Sequence, residues 1–126
     1  MFAKAKKKES TERRRLEKTL KVAVQAGGQA VEEQLDLLEG RQRTLTALLV
    51  EKSDECLGLT IHHTYDVEGV DVVFFGTILH FNSVKNEDAV IIKYSEPSDP
   101  TVLPHQETHP IYELFADTII GDLQYV

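Results

Sequence analysis

The chain has almost none of the cysteine that small proteins use to form disulfide bonds and structural metal sites. Its 126 residues include one cysteine, Cys56, and no tryptophan. A single thiol excludes an internal disulfide and a cysteine-based zinc site, and it is typical of a reducing compartment. No apolar run approaches the roughly 20 residues of a membrane-spanning helix, and none of secretory type follows the basic N-terminus. The length fits one domain with an appended arm.

Recognisable catalytic and metal-binding motifs are also missing. The sequence has no glycine-rich phosphate loop, no nucleophile elbow and no framework of paired carboxylates. Cys56 has no motif around it and is expected to be buried at the start of a strand. His62 and His63 are adjacent in a predicted strand and point to opposite faces, while His105 and His109 lie in a proline-rich segment. We therefore expect surface histidines, no catalysis, and no bound metal or cofactor.

Charge is divided unevenly along the chain. The formal net charge is −7, but residues 1–26 hold nine Lys and Arg against three Glu, a net +6. Residues 27–126 hold five basic and eighteen acidic residues, a net −13. An acidic body repels phosphate backbones, so only the arm has the sign that nucleic-acid binding requires. Residues 1–28 are predicted to be a basic helical arm, and three interpretations stay open: a solvated helix face, a nuclear localisation signal, or an RNA-backbone contact.

Two helical patterns fill the first half of the chain. Residues 8–26 carry Leu16, Leu20, Ala23 and Val24 at helical spacing. Gly27-Gly28 interrupts the pattern, because paired glycines cost a helix roughly 2 kcal/mol relative to alanine. Residues 29–54 are predicted to be an amphipathic helix, or two helices joined at Gly40. Its heptad-like stripe consists of Val31, Leu35, Leu38, Leu45 and Leu49.

Strand-forming patterns begin near Cys56. The runs CLGLTIHHTY, GVDVVFFGTILHF and DAVIIKYSE are rich in β-branched and aromatic residues. Four prolines in EPSDPTVLPHQETHP predict a loop over residues 96–110, and IYELFA and TIIGDLQYV are interpreted as a final strand pair. Five sequential strands after a helix predict a small open barrel over residues 55–126, a mainly β domain preceded by N-terminal helices.

The second run is too long to be a straight strand in a small domain. Thirteen residues extend over roughly 43 Å, so the strand must bend to serve two sides of the barrel. Gly76 lies inside this run, and a glycine permits a sharp bend because it has no Cβ to clash at the corner.

The segment FFGTILHFNSVKN resembles the first sequence motif of the Sm and Sm-like protein family. The matching positions are Phe74, Phe75, Gly76, Ile78, Asn82 and Asn86. LFADTI, residues 114–119, is similar to the second motif of the family. The resemblance covers roughly residues 42–126 and implies a small, open, five-stranded Sm-like barrel of the SH3 type. On this resemblance, Gly76, Asn82 and Asn86 are fold-defining residues.

The chain departs from the family where ring-forming members hold uridine-rich RNA. Those members use a stacking side chain and an asparagine from the first motif, and an arginine from the second. Here Val84 occupies the stacking position and Phe115 the arginine position, and only Asn86 is retained. We expect little uridine binding. Two alternatives stay open: an Sm-like ring subunit that binds uridine-rich RNA with its basic arm in place of the arginine, and an adaptor unrelated to RNA.

The arginine-rich helix entering LTALL and the ending LFADTIIGDLQYV are most similar to the Sm-like gemins of the survival-of-motor-neuron complex. That resemblance implies a non-catalytic scaffold, cytoplasmic and nuclear, in a complex that assembles Sm rings on spliceosomal small nuclear RNA. It implies an Sm-like partner of the sixth-gemin type, a helical scaffold subunit of the eighth-gemin type, and contacts with Sm proteins. RNA would be engaged only indirectly, and no membrane is involved.

Sm-like barrels pair edge to edge, the fourth strand of one subunit with the fifth of the next. In this chain the resemblance places those edges at residues 112–116 and 119–125. The stripe from Val31 to Leu38 has no evident place on so small a barrel, so Leu35 and Leu38 are expected to bind a helix of another subunit. The predicted partner-binding residues are Leu35, Leu38, Tyr112, Leu114, Phe115, Ala116, Ile119, Ile120, Leu123 and Tyr125.

Overall fold

The computed structural model describes residues 5–7, 9–85, 87–95 and 105–126. It is a mixed α/β protein with an open antiparallel sheet, and the helices are more extensive than a mainly β prediction implies. In the described ranges, no helix is both long enough and apolar enough to cross a membrane. The elements are β1 (Ala5–Lys6), α1 (Thr11–Ala26), α2 (Gly28–Leu35), α3 (Gly40–Val50), a 3₁₀ turn (Asp54–Cys56), β2 (Thr60–Val67), β3 (Val70–Val84), β4 (Glu87–Ser95), β5 (His105–Pro110), α4 (Ile111–Ile120) and β6 (Leu123–Tyr125).

The N-terminal half contains three helices, each with a boundary that the sequence explains. α1 begins where the Ser10 side chain accepts a hydrogen bond from the backbone N–H of Arg13 at 3.0 Å, which satisfies one free donor of the first turn. It ends at Gly27, whose φ of 69° is rarely adopted by other residues. The region predicted as one helix or two contains two, α2 and α3, and α3 begins at Gly40.

The strand order is β1-β2-β3-β4-β5, with β6 pairing to β2. Along the outer side of β2, residues 61–63 pair with β6, and residues 66–67 pair with β1. β5 lies at the opposite edge, where it pairs with β4 and has no second strand partner in the described part of the chain. Counting the five longer strands from β2, the fourth and the fifth therefore lie at the two edges.

β3 serves two neighbours, as the length of its sequence run predicts. Residues 70–77 pair with β2 and residues 75–84 pair with β4, and the register shifts between Ile78 and His80. The two halves overlap around Gly76, close to the irregularity. The strand therefore pairs with β2 through its first half and with β4 through its second half.

The inner face of the sheet leaves no room for a side chain at Gly76. A Cβ there would lie 2.9 Å from Ile92 Cγ2, 3.0 Å from Tyr94 Cε1 and 3.1 Å from Ile61 Cγ1. These distances are shorter than normal carbon–carbon contacts, so the three side chains close over the glycine. Glycine is required at this position because of packing.

Gly76→Ala should lower the free energy of unfolding by about 1–3 kcal/mol, the usual cost of overpacking a well-filled core. Urea denaturation followed by circular dichroism measures the change. Ser83→Ala, at an exposed position of the same strand, is the control and should change stability by less than about 0.5 kcal/mol. Equal stability of the Gly76 variant and the wild type would contradict the assigned crowding.

The prediction of a final strand pair over residues 111–126 is wrong for most of its length. Residues 111–120 form α4, and only residues 123–125 form a strand. Ile111, Leu114 and Thr118 recur at intervals of three and four and are buried, which is helical spacing. Pro110 precedes the first turn, and Gly121 in the left-handed conformation follows the last one, as helix boundaries favour.

Two further predictions differ from the structure. The predicted loop over residues 96–110 contains β5 at residues 105–110, and residues 96–104 lie outside the described ranges. Cys56 lies in the 3₁₀ turn before β2 and not at the start of the strand, although it is buried as predicted.

The core consists of two clusters that meet at α4. The sheet cluster includes Leu114 of α4 together with Ile61, Ile78 and Ile92. The second cluster lies between α4 and the N-terminal helices, and it consists of Leu20, Leu35, Leu38, Phe115 and Ala116. Consecutive residues of α4 thus pack on opposite sides, so this helix joins the sheet to the helical layer.

Candidate interaction edge and its buried polar support

β5 is an edge strand, paired only with β4 among the residues that the structure describes, and its two faces differ in character. Gln106 and Thr108 are exposed on the outer face, and His109 is buried on the inner one. His105 and Glu107, which share the side of His109, are half-buried. Since alternate side chains of a strand point to opposite faces, the inner three reach into the sheet. β5 is therefore held from within by polar side chains.

The first layer of that support is formed by two tyrosines of the central strands. Tyr94 Oη lies 3.1 Å from His109 Nε2, and the Tyr65 hydroxyl donates to Glu107 Oε2 at 3.2 Å. His109 Nε2 is also 3.2 Å from Glu107 Oε2. Residues of β2 and β4 are thus hydrogen-bonded to the inner face of β5.

The second layer connects Tyr94 to α4. His63 Nδ1 lies 2.8 Å from Tyr94 Oη, and His63 Nε2 lies 2.8 Å from Asp117 Oδ2. All three side chains are buried. A carboxylate only accepts, so His63 donates through Nε2, and its Nδ1 accepts from the tyrosine hydroxyl. The hydrogen bonds fix one tautomer of His63.

The third layer connects α4 to the N-terminal arm. Asp117 forms an ion pair with the Arg13 guanidinium and accepts a second cation, Lys7 Nζ, at 3.0 Å. Arg13 is 3% exposed, and its other terminal nitrogen lies 3.0 Å from Asp122 Oδ2. A continuous series of polar contacts therefore runs from the β5 edge to the first turn of α1. We refer to it as the polar network, and its members are Lys7, Arg13, His63, Tyr65, Tyr94, Glu107, His109, Asp117 and Asp122.

Burial and charge fix the protonation states in this network. Burial disfavours the Asp117 carboxylate, but the hydrogen bond from His63 and the charges of Lys7 and Arg13 outweigh it and hold the pKa well below its usual value. Desolvation lowers the pKa of His63, which keeps the ring neutral. A hydrogen bond from His109 lowers the pKa of Glu107 to about 2, and burial raises the pKa of Tyr94. At neutral pH Asp117 and Glu107 are therefore ionised and His63 is neutral.

The structure places the histidines differently from the sequence prediction. His63 and His109 are buried, which contradicts the expectation of surface positions for the five histidines. His62 does point to the opposite face, where its ring stacks on Phe75 with 4.9 Å between centroids. Within the described ranges, no group of three or more His, Cys, Asp or Glu residues could hold a metal ion.

Most of the residues predicted to form the two pairing edges lie in a helix and not on an edge strand. Tyr112, Leu114, Phe115, Ala116, Ile119 and Ile120 all belong to α4. Leu114, Phe115 and Ala116 are buried, and Ile120 is 38% exposed. Leu123 and Tyr125 do lie on β6, the short edge strand. The long edge is β5, which lies in the segment predicted to be a loop from its four prolines. Its inward residues are polar, so no apolar alternation marked it as a strand.

Leu35 and Leu38 are not exposed anchors. They are 3% and 6% exposed and pack with Leu20 and Phe115 inside the chain's own helical cluster. The prediction that they form a free surface is wrong, because α1 and α4 supply the apolar partners that a small barrel alone would not.

The remaining motif positions lie around the turn between β3 and β4. Asn82 is exposed, and its side-chain oxygen accepts a hydrogen bond from the Ser83 backbone at 2.8 Å. Lys85 has a φ of 51° and forms the turn, and Asn86 lies outside the described ranges. Phe115, at the arginine position of the second motif, is fully buried and cannot reach a ligand. Comparison of the chain with protein-family models, with curated proteins and with solved structures finds no match.

Proposed function

We propose that this chain is a non-catalytic scaffold subunit with an Sm-like barrel, similar to the seventh gemin of the survival-of-motor-neuron complex. It would act by pairing the edge of its sheet with a second Sm-like protein. The observation that carries the proposal is the strand order, in which the fourth and fifth of the five longer strands occupy the two edges. Those are the strands through which Sm-like subunits pair.

The two edges differ in length, and the longer one is the better pairing surface. β5 has six residues, whereas β6 has three. A free strand edge offers backbone donors and acceptors to a partner strand, and β5 is stiffened from within by the polar network. We therefore assign the Sm-like partner, of the sixth-gemin type, to β5.

The state of the second motif favours the scaffold over a uridine-binding ring subunit. A ring subunit needs a cation at the position of Phe115, and this side chain is fully buried in the helical cluster. In the proposed complex, the helical subunit of the eighth-gemin type and the Sm proteins would bind other surfaces. The assembly would act in the cytoplasm and nucleus on spliceosomal small nuclear RNA.

Lysines at the β5 edge should prevent pairing, because charged side chains on an edge strand block the approach of a second strand. The test variant is Gln106→Lys with Thr108→Lys, at two exposed positions of β5. Co-expressed with a sixth-gemin-type protein, the wild type should form a 1:1 heterodimer in sedimentation velocity. The variant should lose at least tenfold in affinity and keep its circular dichroism spectrum.

A matched control separates edge pairing from a general effect of charge. Gln25→Lys with Gln29→Lys adds the same charge at exposed helical positions and should leave the heterodimer intact. Pairing of the β5 variant at wild-type affinity would contradict the assigned edge. Six- or seven-membered assemblies of the wild type that bind oligouridine would instead identify a ring subunit.

A further inference from the structure

The basic residues of the N-terminal segment divide into two classes according to the direction in which they point. One class faces the acidic body. Lys7 and Arg13 bind Asp117, and Lys21 Nζ lies 2.9 Å from Glu87 Oε1 and 5.4 Å from the centroid of the Tyr112 ring. The charge of this class is neutralised by carboxylates of the same chain.

The other class faces solvent on the outer side of α1. Arg14, Arg15 and Lys18 are exposed, and residues three and four apart are neighbours on a helix surface. Arg15 and Lys18 have no carboxylate within ion-pair distance in the described part of the chain. Arg14 approaches Glu9 at 3.4 Å, but these side chains are 75% and 66% exposed, so water screens the contact. The three side chains form one cationic surface in which the ion pair of Arg14 with Glu9 is exposed to solvent. We call it the α1 basic face.

This surface is held rigid by the side chains on the opposite side of the same helix. Leu20 is fully buried against α4, and Arg13 is anchored in the polar network. A charged surface on an ordered helix loses less entropy on binding than one on a flexible tail. The α1 basic face is therefore preorganised.

The chemistry of the face favours a phosphate backbone over a lipid surface or an acidic protein. A helix that binds a membrane surface needs a free apolar face, whereas that of α1 is buried in the helical cluster. A protein interface is built around an apolar centre. On the outer side of α1 the one large apolar side chain that is exposed is Val22, at 63%. Guanidinium groups match phosphate geometry, and the −13 body repels phosphates elsewhere.

We propose that the α1 basic face binds the sugar–phosphate backbone of RNA directly and without sequence preference, through Arg14, Arg15 and Lys18. This contact goes beyond the proposed scaffold role, in which RNA is engaged only indirectly, and it does not require pairing at β5. It orients the molecule, because the acidic body repels the phosphates and the α1 basic face attracts them. Of the three interpretations of the basic segment, the proposal corresponds to the RNA-backbone contact.

The test compares the wild-type chain with Arg14→Gln, Arg15→Gln and Lys18→Gln combined. Binding to a fluorescein-labelled 20-nucleotide RNA of mixed sequence is followed by anisotropy between 25 and 200 mM KCl. The variant should bind at least tenfold more weakly at the lowest salt. Neutralising three phosphate contacts should also reduce the slope of log affinity against log salt by about 2, since each contact contributes about 0.7 for a single strand.

The matched control removes the same charge from exposed positions of the body. Arg41→Gln, Lys52→Gln and Lys93→Gln combined should change neither the affinity nor the salt slope by more than twofold. The β5 lysine variant should keep RNA binding, and the α1 variant should keep the heterodimer, so failure of either proposal is recognised separately.

Four results would overturn the proposal. The first is an equal loss of RNA binding in the α1 variant and the control. The second is an α1 variant that binds RNA with the affinity of the wild type. The third is a wild type that does not bind RNA at 25 mM KCl. The fourth is a wild-type affinity for polyglutamate or phosphatidylserine vesicles that equals or exceeds the affinity for RNA.

Discussion

Replacing Asp117 by alanine is expected to lower the free energy of unfolding by about 3–5 kcal/mol, the usual cost of removing one partner from a buried ion pair. Asp117 is fully buried, accepts hydrogen bonds from His63 and Arg13, and forms a second ion pair with Lys7. Its loss removes the fully buried carboxylate that pairs with the 3% exposed guanidinium, whereas the Asp122 and Glu17 carboxylates that also contact Arg13 are partly exposed. The cost is dominated by a cation that stays buried without its main partner. Urea denaturation at pH 7 measures it.

A double-mutant cycle identifies Arg13 as the origin of this cost. In an Arg13→Met background the guanidinium is absent, so Asp117→Ala should cost at least 1 kcal/mol less than in the wild type. Asp122→Ala is the control, because this carboxylate is 24% exposed and its loss should cost about 1 kcal/mol or less. Additive effects of the Arg13 and Asp117 substitutions would contradict a coupled buried pair.

Leu35→Ala and Leu38→Ala should each lower the free energy of unfolding by about 2–5 kcal/mol, the range for truncating a buried leucine. Both side chains are buried in the helical cluster with Leu20 and Phe115. Leu37→Ala is a matched control from the same segment, because this side chain is 61% exposed and its truncation should change stability by no more than about 0.5 kcal/mol. Thermal and urea denaturation distinguish the three variants.

Substitutions at Leu35 and Leu38 also test whether these residues pack inside the chain or bind a partner subunit. If Leu35 and Leu38 bound another subunit, aspartate at both sites would abolish complex formation and leave the isolated chain as stable as the wild type. The structure instead predicts an unfolded or strongly destabilised chain, because two carboxylates would be buried without partners. A folded double variant with wild-type stability would refute the packing described above.

Sequence periodicity predicted the elements whose burial is apolar and regular. The spacing of Leu16, Leu20 and Ala23 marks α1, and the apolar runs of β2, β3 and β4 mark the central sheet. Gly76 was predicted as the site of a bend, whereas the structure shows side-chain crowding at Gly76 and places the irregularity of the strand between Ile78 and His80.

The prediction failed where a side chain's environment is set by distant residues. IYELFADTII contains apolar residues compatible with either a strand or a helix, and its packing between the sheet and the α1–α2 layer decides for a helix. HQETHP shows no apolar alternation because its inward residues join the polar network. That network joins positions as far apart as Arg13 and Asp117, and no local spacing reports such a contact.

The packing of Leu20 against α4 changes how the first 28 residues are to be regarded. Their sequence is typical of a separable tail. Cleavage at Gly27-Gly28 would nevertheless remove Leu20 from its packing against Phe115 and Ala116, and it would remove the guanidinium that neutralises Asp117. A fragment beginning at residue 29 would expose to solvent an apolar surface and a carboxylate that are buried in the intact chain. The domain, in the sense of the smallest unit that can fold, therefore includes its most cationic stretch.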